Sequence, residues 1–371
     1  MFTVVHVITR LELGGAQENT LASCEGLVER GHRVVLLFGP GGLLDEHAAR
    51  TGAQLIPVNA LGRAIFPLED LRACSDMTAT LQRLFEEHRR AGHDAEDFIV
   101  HTHSSKAGIL GRLAAARARA SSIVHSIHGF GFHRDQPEVL KRTLIASELL
   151  ASRVTRGFVS VSRANLAEAR ARGIVRPHHH TRVIRSGMDL CAFRREAGRK
   201  DENRRSLRAP PGPLFVSIAN LKPQKDPLTL VDAMRRVVDI EPQASLWYAG
   251  DGPMRREVEE RIRALGLAKH FHLLGWRRDV PELISAADVI VLSSSFEGLP
   301  RSAVQAVATA GLSSELAWMV RPRSSARGSK AFWWSPPTPQ RFRPRCFGPF
   351  AIHGLPHRRL RVDFAPGSST S

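Results

Sequence analysis

Short apolar runs alternate with helical periods along most of this chain, and that alternation decides what the chain can fold into. Phe2–Ile8, Arg33–Phe38, Gln54–Val58, Phe98–His101, Ile123–Ile127 and Phe158–Val161 have the length and content of strands buried on both faces. Helical patterns run between them. In Ala16–Arg30, Leu21, Cys24 and Val28 recur at helix spacing; in Leu68–Arg90, Leu71, Leu81, Leu84 and Phe85 do so. Hairpin signals are few, so the strands are predicted to lie parallel in a sheet covered on both faces. Val183–Ile184 closes this first series. A second begins with strand Leu214–Ala219 and continues through Ser245–Ala249, His270–Leu273 and Val289–Leu292, with helices at Leu228–Val238, Met254–Leu265 and Val280–Ala286. Between the two series, Cys191–Pro213 is charged, polar and ends in prolines, and it reads as a linker. The fold class is therefore α/β, with two doubly wound, Rossmann-like parallel-sheet domains over residues 1–190 and 214–309.

Sheets of this kind bind ligands at the carboxyl ends of their strands, where the following helix offers unpaired amides and the positive end of its dipole. Several loops on those rims are rich in glycine or polar residues. They include Gly14-Gly15, His101–Gly108, His128–Phe132, Ala219–Asp226, Ala249–Pro253 and Gly275–Asp279. The most organised is Asp288–Ala308. There the apolar run Val289–Leu292 leads through a tight Glu-Gly-Leu loop to Pro300, which is suited to open a helix because it has no amide hydrogen to leave unpaired. Glu297 sits at the mouth of that loop. At 100° per residue, Ser302, Gln305 and Thr309 share one side of the helix, predicted to face a ligand. Ala303, Val304, Val307 and Ala308 share the other, predicted to pack.

This stretch resembles the nucleotide-sugar signature of family 4 glycosyltransferases, in which two glutamates eight positions apart flank a Gly-Leu-Pro loop. Here the positions hold Glu297 and Gln305. The resemblance implies that Glu297 contacts the donor sugar and that Gln305 takes the ribose-binding place, where an amide accepts hydrogen bonds without the charge that strengthens them. The loop Ala219-Asn-Leu-Lys-Pro-Gln-Lys225 is similar to the family's Gly-Arg-Leu-x-x-x-Lys element, which holds the donor diphosphate. Lys225 matches the lysine. Asn220 stands where the family has arginine, and Lys222 partly replaces its charge. The amides of Gly14, Gly15, Gly298 and Leu299 would add donors, and His128 matches the histidine near the donor sugar. Over residues 2–309 the resemblance implies the GT-B fold, two Rossmann-like domains facing a cleft. It also implies transfer of a sugar, with retention, from a UDP- or GDP-sugar to a saccharide or polyprenyl-linked saccharide in surface-polysaccharide assembly. No cofactor and no metal are expected.

The formal charge of +17 attracts phosphates of any kind without choosing among them. Nearly half of it lies in residues 310–371, where ten Lys/Arg face two Asp/Glu. The helices Glu138–Arg153 and Arg112–Arg119 interleave basic and apolar residues and suggest contact with an anionic membrane, although a solvated outer face explains them nearly as well. No run approaches a membrane span. The first residues lack the charge pattern of a signal peptide, and the four cysteines are scattered, so a cytoplasmic protein, peripheral at the inner face of the plasma membrane, is expected. No nucleic-acid partner is expected. His178-His179-His180 follows Pro177 without companion ligands and reads as a solvated turn.

From Ala310 the pattern stops. Eight of the 22 prolines and three of the five tryptophans fall in residues 310–371, with no sustained period. Such a stretch reads as mostly disordered, with a turn or two of helix near Leu312–Val320, and its abrupt onset inside a domain suggests a shifted reading frame and an incomplete second domain. Three readings of the chain stand on the sequence alone: a working transferase, a catalytically dead relative of one, and a basic nucleic-acid-binding protein.

Overall fold

The computed structural model describes residues 1–310 except 63, 133–135, 189, 296, 298 and 299, together with 318–320, 331–334 and 346–347. The chain divides into two units, Met1–Met188 and the residues from 189 onward. That break falls two residues from the expected one.

Unit 1 runs β1 (Thr3–Arg10), α1 (Gly15–Val28), β2 (Arg33–Gly39), α2 (Asp45–Ala48), β3 (Gln54–Pro57), α3 (Pro67–Arg90), β4 (Phe98–His103), α4 (Ser105–Arg117), β5 (Ser122–Ile127), α5 (Glu138–Ser152), β6 (Gly157–Ser160), α6 (Arg163–Ala171) and β7 (His180–Val183). Its seven strands are parallel in the order β3-β2-β1-β4-β5-β6-β7. The centre is β1, and its alternating side chains enter two different cores. Val5 and Val7 join Val35, Leu37 and Phe98 against Met77, Leu81 and Leu84 of α3. Ile8 joins Leu36 and Phe38 against Leu21 and Cys24 of α1. This is why the strands read as continuous apolar runs rather than as alternating ones.

One buried ion pair crosses the outer layer of unit 1. Arg112 on α4 is fully buried and donates to Glu148 on α5 at 2.5 Å and to the Gly108 carbonyl at 2.7 Å. Arg112 was expected on a basic outer face, and burial removes it from any membrane contact. The expected solvated turn at His178–His180 also needs correction. His179 is buried, accepts the Arg176 amide at 2.9 Å and hydrogen-bonds the Ser152 carbonyl at 3.1 Å, tying the loop to α5.

Unit 2 runs α7 (Cys191–Arg195), α8 (Lys200–Ser206), β8 (Leu214–Ile218), α9 (Pro227–Ile240), β9 (Ser245–Ala249), α10 (Arg255–Ala264), β10 (Phe271–Gly275), α11 (Val280–Ala286), β11 (Val289–Ile290) and α12 (Arg301–Ala310). Four parallel strands lie in the order β10-β9-β8-β11. One face packs α9 and α10 through Leu230, Met234, Val258 and Ile262; the other packs α7, α11 and α12 through Phe193, Leu283, Ile284 and Ala306.

The segment expected to be a linker is therefore part of unit 2. Phe193, Glu196 and Asn203 are buried, and the charges that suggested solvent exposure are used internally. Lys200 and Arg204 reach Asp288 at 2.5 and 2.8 Å, and Asp288 also accepts the Leu214 amide at 2.6 Å, so α8 is fastened to the start of β8 and β11.

In the C-terminal tail, β12 (Trp318–Val320), β13 (Ala331–Trp334) and β14 (Cys346–Phe347) pair antiparallel. Trp318–Val320 is thus a strand where a helical turn was expected. The remaining expectations for the tail lie outside the described residues.

Candidate functional site

In unit 2 the residues singled out by sequence come together at the carboxyl edge of the sheet. After β8 the chain turns through Asn220–Lys222 and a short 3-10 turn, Pro223–Lys225, into α9. Asp226 takes a left-handed conformation, φ 46°, which aspartate tolerates by hydrogen-bonding locally. Its carboxylate caps α9, accepting the Thr229 hydroxyl at 2.8 Å. The next strand's loop supports this turn from beneath. Leu221 and Asp251 share a backbone hydrogen bond of 3.0 Å, and a Cβ at Gly250 would stand 1.9 Å from the Ala219 carbonyl oxygen. Only a glycine permits that approach.

The β11–α12 loop closes on the same turn. Ser293 Oγ donates to the Lys225 carbonyl at 2.7 Å, and the Ser295 amide to the Gln224 carbonyl at 2.9 Å. Glu297 then meets Lys225 directly, its Oε1 accepting from Lys225 Nζ and from Ser294 Oγ, the latter at 2.6 Å. Both partners are largely buried. The arrangement places one ammonium and one carboxylate, paired with each other, beside the N-terminus of α9.

Gln305 lies half-buried on α12. The facing of this helix differs from expectation. Ser302, Ala303, Ala306 and Thr309 form the buried side, whereas Val307 is 43% exposed. Small residues win the interior because α12 packs against both α7 and α11, and close packing favours slender side chains over a larger apolar one. Ser302 and Thr309 thus belong to the packed side of the helix. Gly298 and Leu299 lie outside the described residues. A depression of about 350 Å³ lined by Lys200, Arg204, Gly212, Pro213 and Asp288 lies before the strands β8 and β11, at the opposite edge from these loops.

In unit 1, Gly14 precedes α1 in an extended conformation and Gly15 opens the helix, so their amides stand at the carboxyl end of β1. Gln17 fastens this turn by donating to the Arg10 carbonyl at 3.1 Å. His128 follows β5. It is not alone: His103 Nδ1 lies 3.1 Å from His128 Nε2, and His6 Nδ1 lies 2.9 Å from His103 Nε2. The His101 ring lies tilted against that of His103, centroids 4.3 Å apart, and bonds the Ser126 hydroxyl at 2.8 Å. Burial lowers the pKa of His6 to about 4, and burial followed by the neighbouring imidazoles and Arg112 holds His101, His103 and His125 well below the usual range. These rings are neutral at physiological pH. Among the described residues, His6, His101 and His103 bring ligand nitrogens within 4.8 Å of one another, the one such group of metal-ligating type.

Sequence reasoning gave His101 and His103 no role, and it took His6 only as part of a strand. The signal available was the recurrence of histidine at i and i+2 on β4 opposite a histidine on β1, since i and i+2 share a face.

The fold is that of a glycosyltransferase built from two Rossmann-like units. Residues 14–187 match the glycosyl transferase 4-like domain and residues 199–311 the glycosyl transferases group 1, and the chain belongs to the family 4 glycosyltransferases. It is 28% identical over 310 residues to the Escherichia coli UDP-Gal:α-D-GlcNAc-diphosphoundecaprenol α-1,3-galactosyltransferase, covering 82% of this chain and 77% of that protein. Anabaena Alr3699/HepE, solved with UDP and glucose, superposes with a TM-score of 0.67 at 19% identity over 83% of this chain and 79% of that one. WaaG, a glycosyltransferase involved in lipopolysaccharide biosynthesis, gives 0.63 at 15% identity over 85% and 80%. The likenesses bear out the expected GT-B fold.

Proposed function

We propose that this enzyme transfers a sugar, with retention, from a UDP- or GDP-sugar to a lipid-linked or free saccharide during assembly of a surface polysaccharide. The observation that carries the reading is the convergence of Lys225 and Glu297 from two separate loops at the carboxyl edge of the unit 2 sheet. Breaking the bond between the anomeric carbon and the diphosphate oxygen leaves negative charge on the diphosphate. Lys225 and the first amides of α9 stabilise that charge, and Lys222 and Asn220 lie in the same turn. Glu297, once Lys225 turns to phosphate, is free to accept hydroxyl groups of the sugar. Gln305 accepts from the ribose. Within unit 1, His128 and the amides of Gly14 and Gly15 stand at the carboxyl edge of its own sheet and offer polar groups to a sugar or phosphate there. No protein nucleophile is assigned: the acceptor oxygen forms the new bond on the face the diphosphate leaves and gives it its proton. No metal is assigned a step either. The E. coli relative's diphosphoundecaprenol acceptor favours a polyprenyl-linked acceptor here.

Contact with the membrane follows from such an acceptor. Among the described residues no helix is long and apolar enough to cross a bilayer. The start of α3 exposes Ile65, Phe66, Leu68 and Leu71 together, with Leu68 at 75%, an apolar step of the kind that enters a headgroup layer. On α5, by contrast, Lys141 and Arg142 are both paired with Glu138.

A second reading, a catalytically inactive relative, is favoured by one observation: the family match ends at residue 311. Calorimetry with UDP and GDP, followed by turnover of UDP- and GDP-sugars with a polyprenyl diphosphate saccharide, separates the two. Binding with turnover supports the transferase. Binding without turnover supports the inactive relative, and no binding of either nucleotide overturns both.

A further inference from the structure

Three histidines in unit 1 form a line that runs out of the protein's interior. His6 is in the middle of β1, His103 ends β4, and His128 follows β5. In the β1–β4 register His6 stands opposite His101, and His103 is two residues further on the same face. His103 in turn stands opposite Ser126, two residues before His128. The rings of His6 and His103 thus project from one face of adjacent parallel strands and His128 follows just past the end of the next, which brings His6 Nδ1 to 2.9 Å from His103 Nε2 and His103 Nδ1 to 3.1 Å from His128 Nε2.

Neutral imidazole carries one N–H and one bare nitrogen, so two hydrogen bonds in series through His103 must point the same way. Either each ring donates toward His128, or each donates toward His6. The inner end decides between them. Among the described residues, His6 Nε2 is buried with no hydrogen-bond partner. If the line donated inward, His6 would bury an N–H with nothing to receive it; if it donates outward, His6 buries only a lone pair, the better tolerated of the two. Both rings are fully buried, where an imidazolium charge is costly, so neither escapes the choice by carrying both protons.

We propose that His6 and His103 are positioning residues that set the tautomer of His128 from within the sheet, committing its Nε2 as an acceptor and its Nδ1 as the N–H donor. This deepens the reading of His128 as a residue of the transfer reaction and rests on it for its consequence, though not for the tautomer itself. With Nε2 engaged, the ring can neither rotate nor exchange its proton between nitrogens without breaking the bond to His103. Its Nδ1–H is then a fixed donor, suited to a hydroxyl oxygen of a sugar or to a developing negative charge.

The test is nitrogen-15 NMR of the imidazole rings in the full chain, with His128 assigned by the signals lost in His128→Gln. The expected result is an Nδ1–H tautomer for His128 in the otherwise unaltered chain. His103→Leu should release it toward the Nε2–H form, which free histidine favours, and should lower kcat by about 10–100-fold with nucleotide affinity unchanged. His103→Gln, whose amide accepts from His6 and donates to His128, should restore both the tautomer and most of kcat. An Nε2–H tautomer for His128 in the unaltered chain overturns the proposal. So does a His103→Gln enzyme that keeps the tautomer but stays as slow as His103→Leu. So does a Co²⁺ complex abolished by His6→Ala, because nitrogens that ligate a cation cannot also form the line. If the chain turns over no nucleotide sugar, the functional reading fails, and the NMR result still decides the relay.

Discussion

Lys225 and Glu297, assigned separate tasks by their positions in the chain, are bonded to each other. A diphosphate must therefore compete with Glu297 for the ammonium. Lys225→Ala removes a charge-assisted contact and should weaken UDP or GDP binding by about 1.5–3 kcal/mol. Glu297→Gln releases Lys225 from its competitor, so nucleotide affinity should hold or rise while kcat falls. Calorimetry beside steady-state rates checks both. A Glu297→Gln variant that loses nucleotide affinity would show that the carboxylate orients the lysine rather than competing for it.

Gln305 offers a test of the ribose assignment. Gln305→Glu should leave nucleotide binding equal or tighter, because a carboxylate accepts hydroxyl hydrogens more strongly than an amide does. Gln305→Leu should weaken it by about 1 kcal/mol. Equal affinity of the leucine variant would place the ribose elsewhere.

Gly250 predicts a coupling between stability and binding, because its loop packs against the turn that carries Lys225. A Cβ there would lie 1.9 Å from the Ala219 carbonyl oxygen, and φ is +143°. Gly250→Ala should cost at least about 3 kcal/mol in unit 2 and should displace the Asn220–Lys225 turn. Gly266, at φ +66° with nothing within 4 Å of a Cβ, is the control. Gly266→Ala should cost only about 1–2 kcal/mol and leave nucleotide affinity unchanged. Denaturant unfolding and calorimetry on the two variants would separate crowding from backbone strain.

Asp288 makes unit 2 acid-sensitive. Burial pushes its carboxyl pKa up, but Lys200, the Leu214 amide and Arg204 outweigh that and hold it below the ordinary value. A depressed carboxylate stabilises the fold at pH above its unfolded value near ~4, and that stability is lost as pH falls through the folded pKa. Asp288→Asn should cost about 2–4 kcal/mol at pH 7, since two cations lose their partner, and its stability should fall less than the parent's below about pH 4. Parallel curves for the two proteins in acid would refute the assignment.

The apolar step at Ile65–Leu71 should hold the chain to lipid. Replacing Phe66 and Leu68 by serine should reduce sedimentation with anionic vesicles about 10-fold without changing unfolding, since both are exposed. Vesicle binding that survives this change but vanishes in Lys141→Ala/Arg142→Ala would move the contact to α5.

The strands of both sheets were legible because burial on both faces demands uninterrupted apolar residues, and little else in a sequence looks like that. Lys225 and Glu297 were legible through motif spacing, but their pairing was not, because it depends on how far two loops lean across an edge. Residues 191–213 misled because charge was equated with solvent, whereas Lys200 and Arg204 are drawn inward by Asp288. The facing of α12 misled for a related reason. Hydrophobicity ranks Val307 above Ser302, but a narrow space between two helices ranks them by volume. His6 was legible only through the histidine pair on β4, since a histidine inside an apolar strand looks the same by itself whether its partner exists or not.

The central place of β1 has a consequence for how the protein is made. His6 and His103 are 97 residues apart in sequence and touch in the fold. At ~5–20 residues per second, a ribosome that has just added His6 needs roughly 5–20 s to reach His103. For that interval β1, among the most apolar segments of the chain, has only β2 to pair with, β3 lying beyond it, and its other edge waits uncovered. Unit 1 cannot close its sheet while its first half alone is outside the ribosome, so holding nascent chains off one another over that interval should raise the yield of folded protein more than any change to its surface.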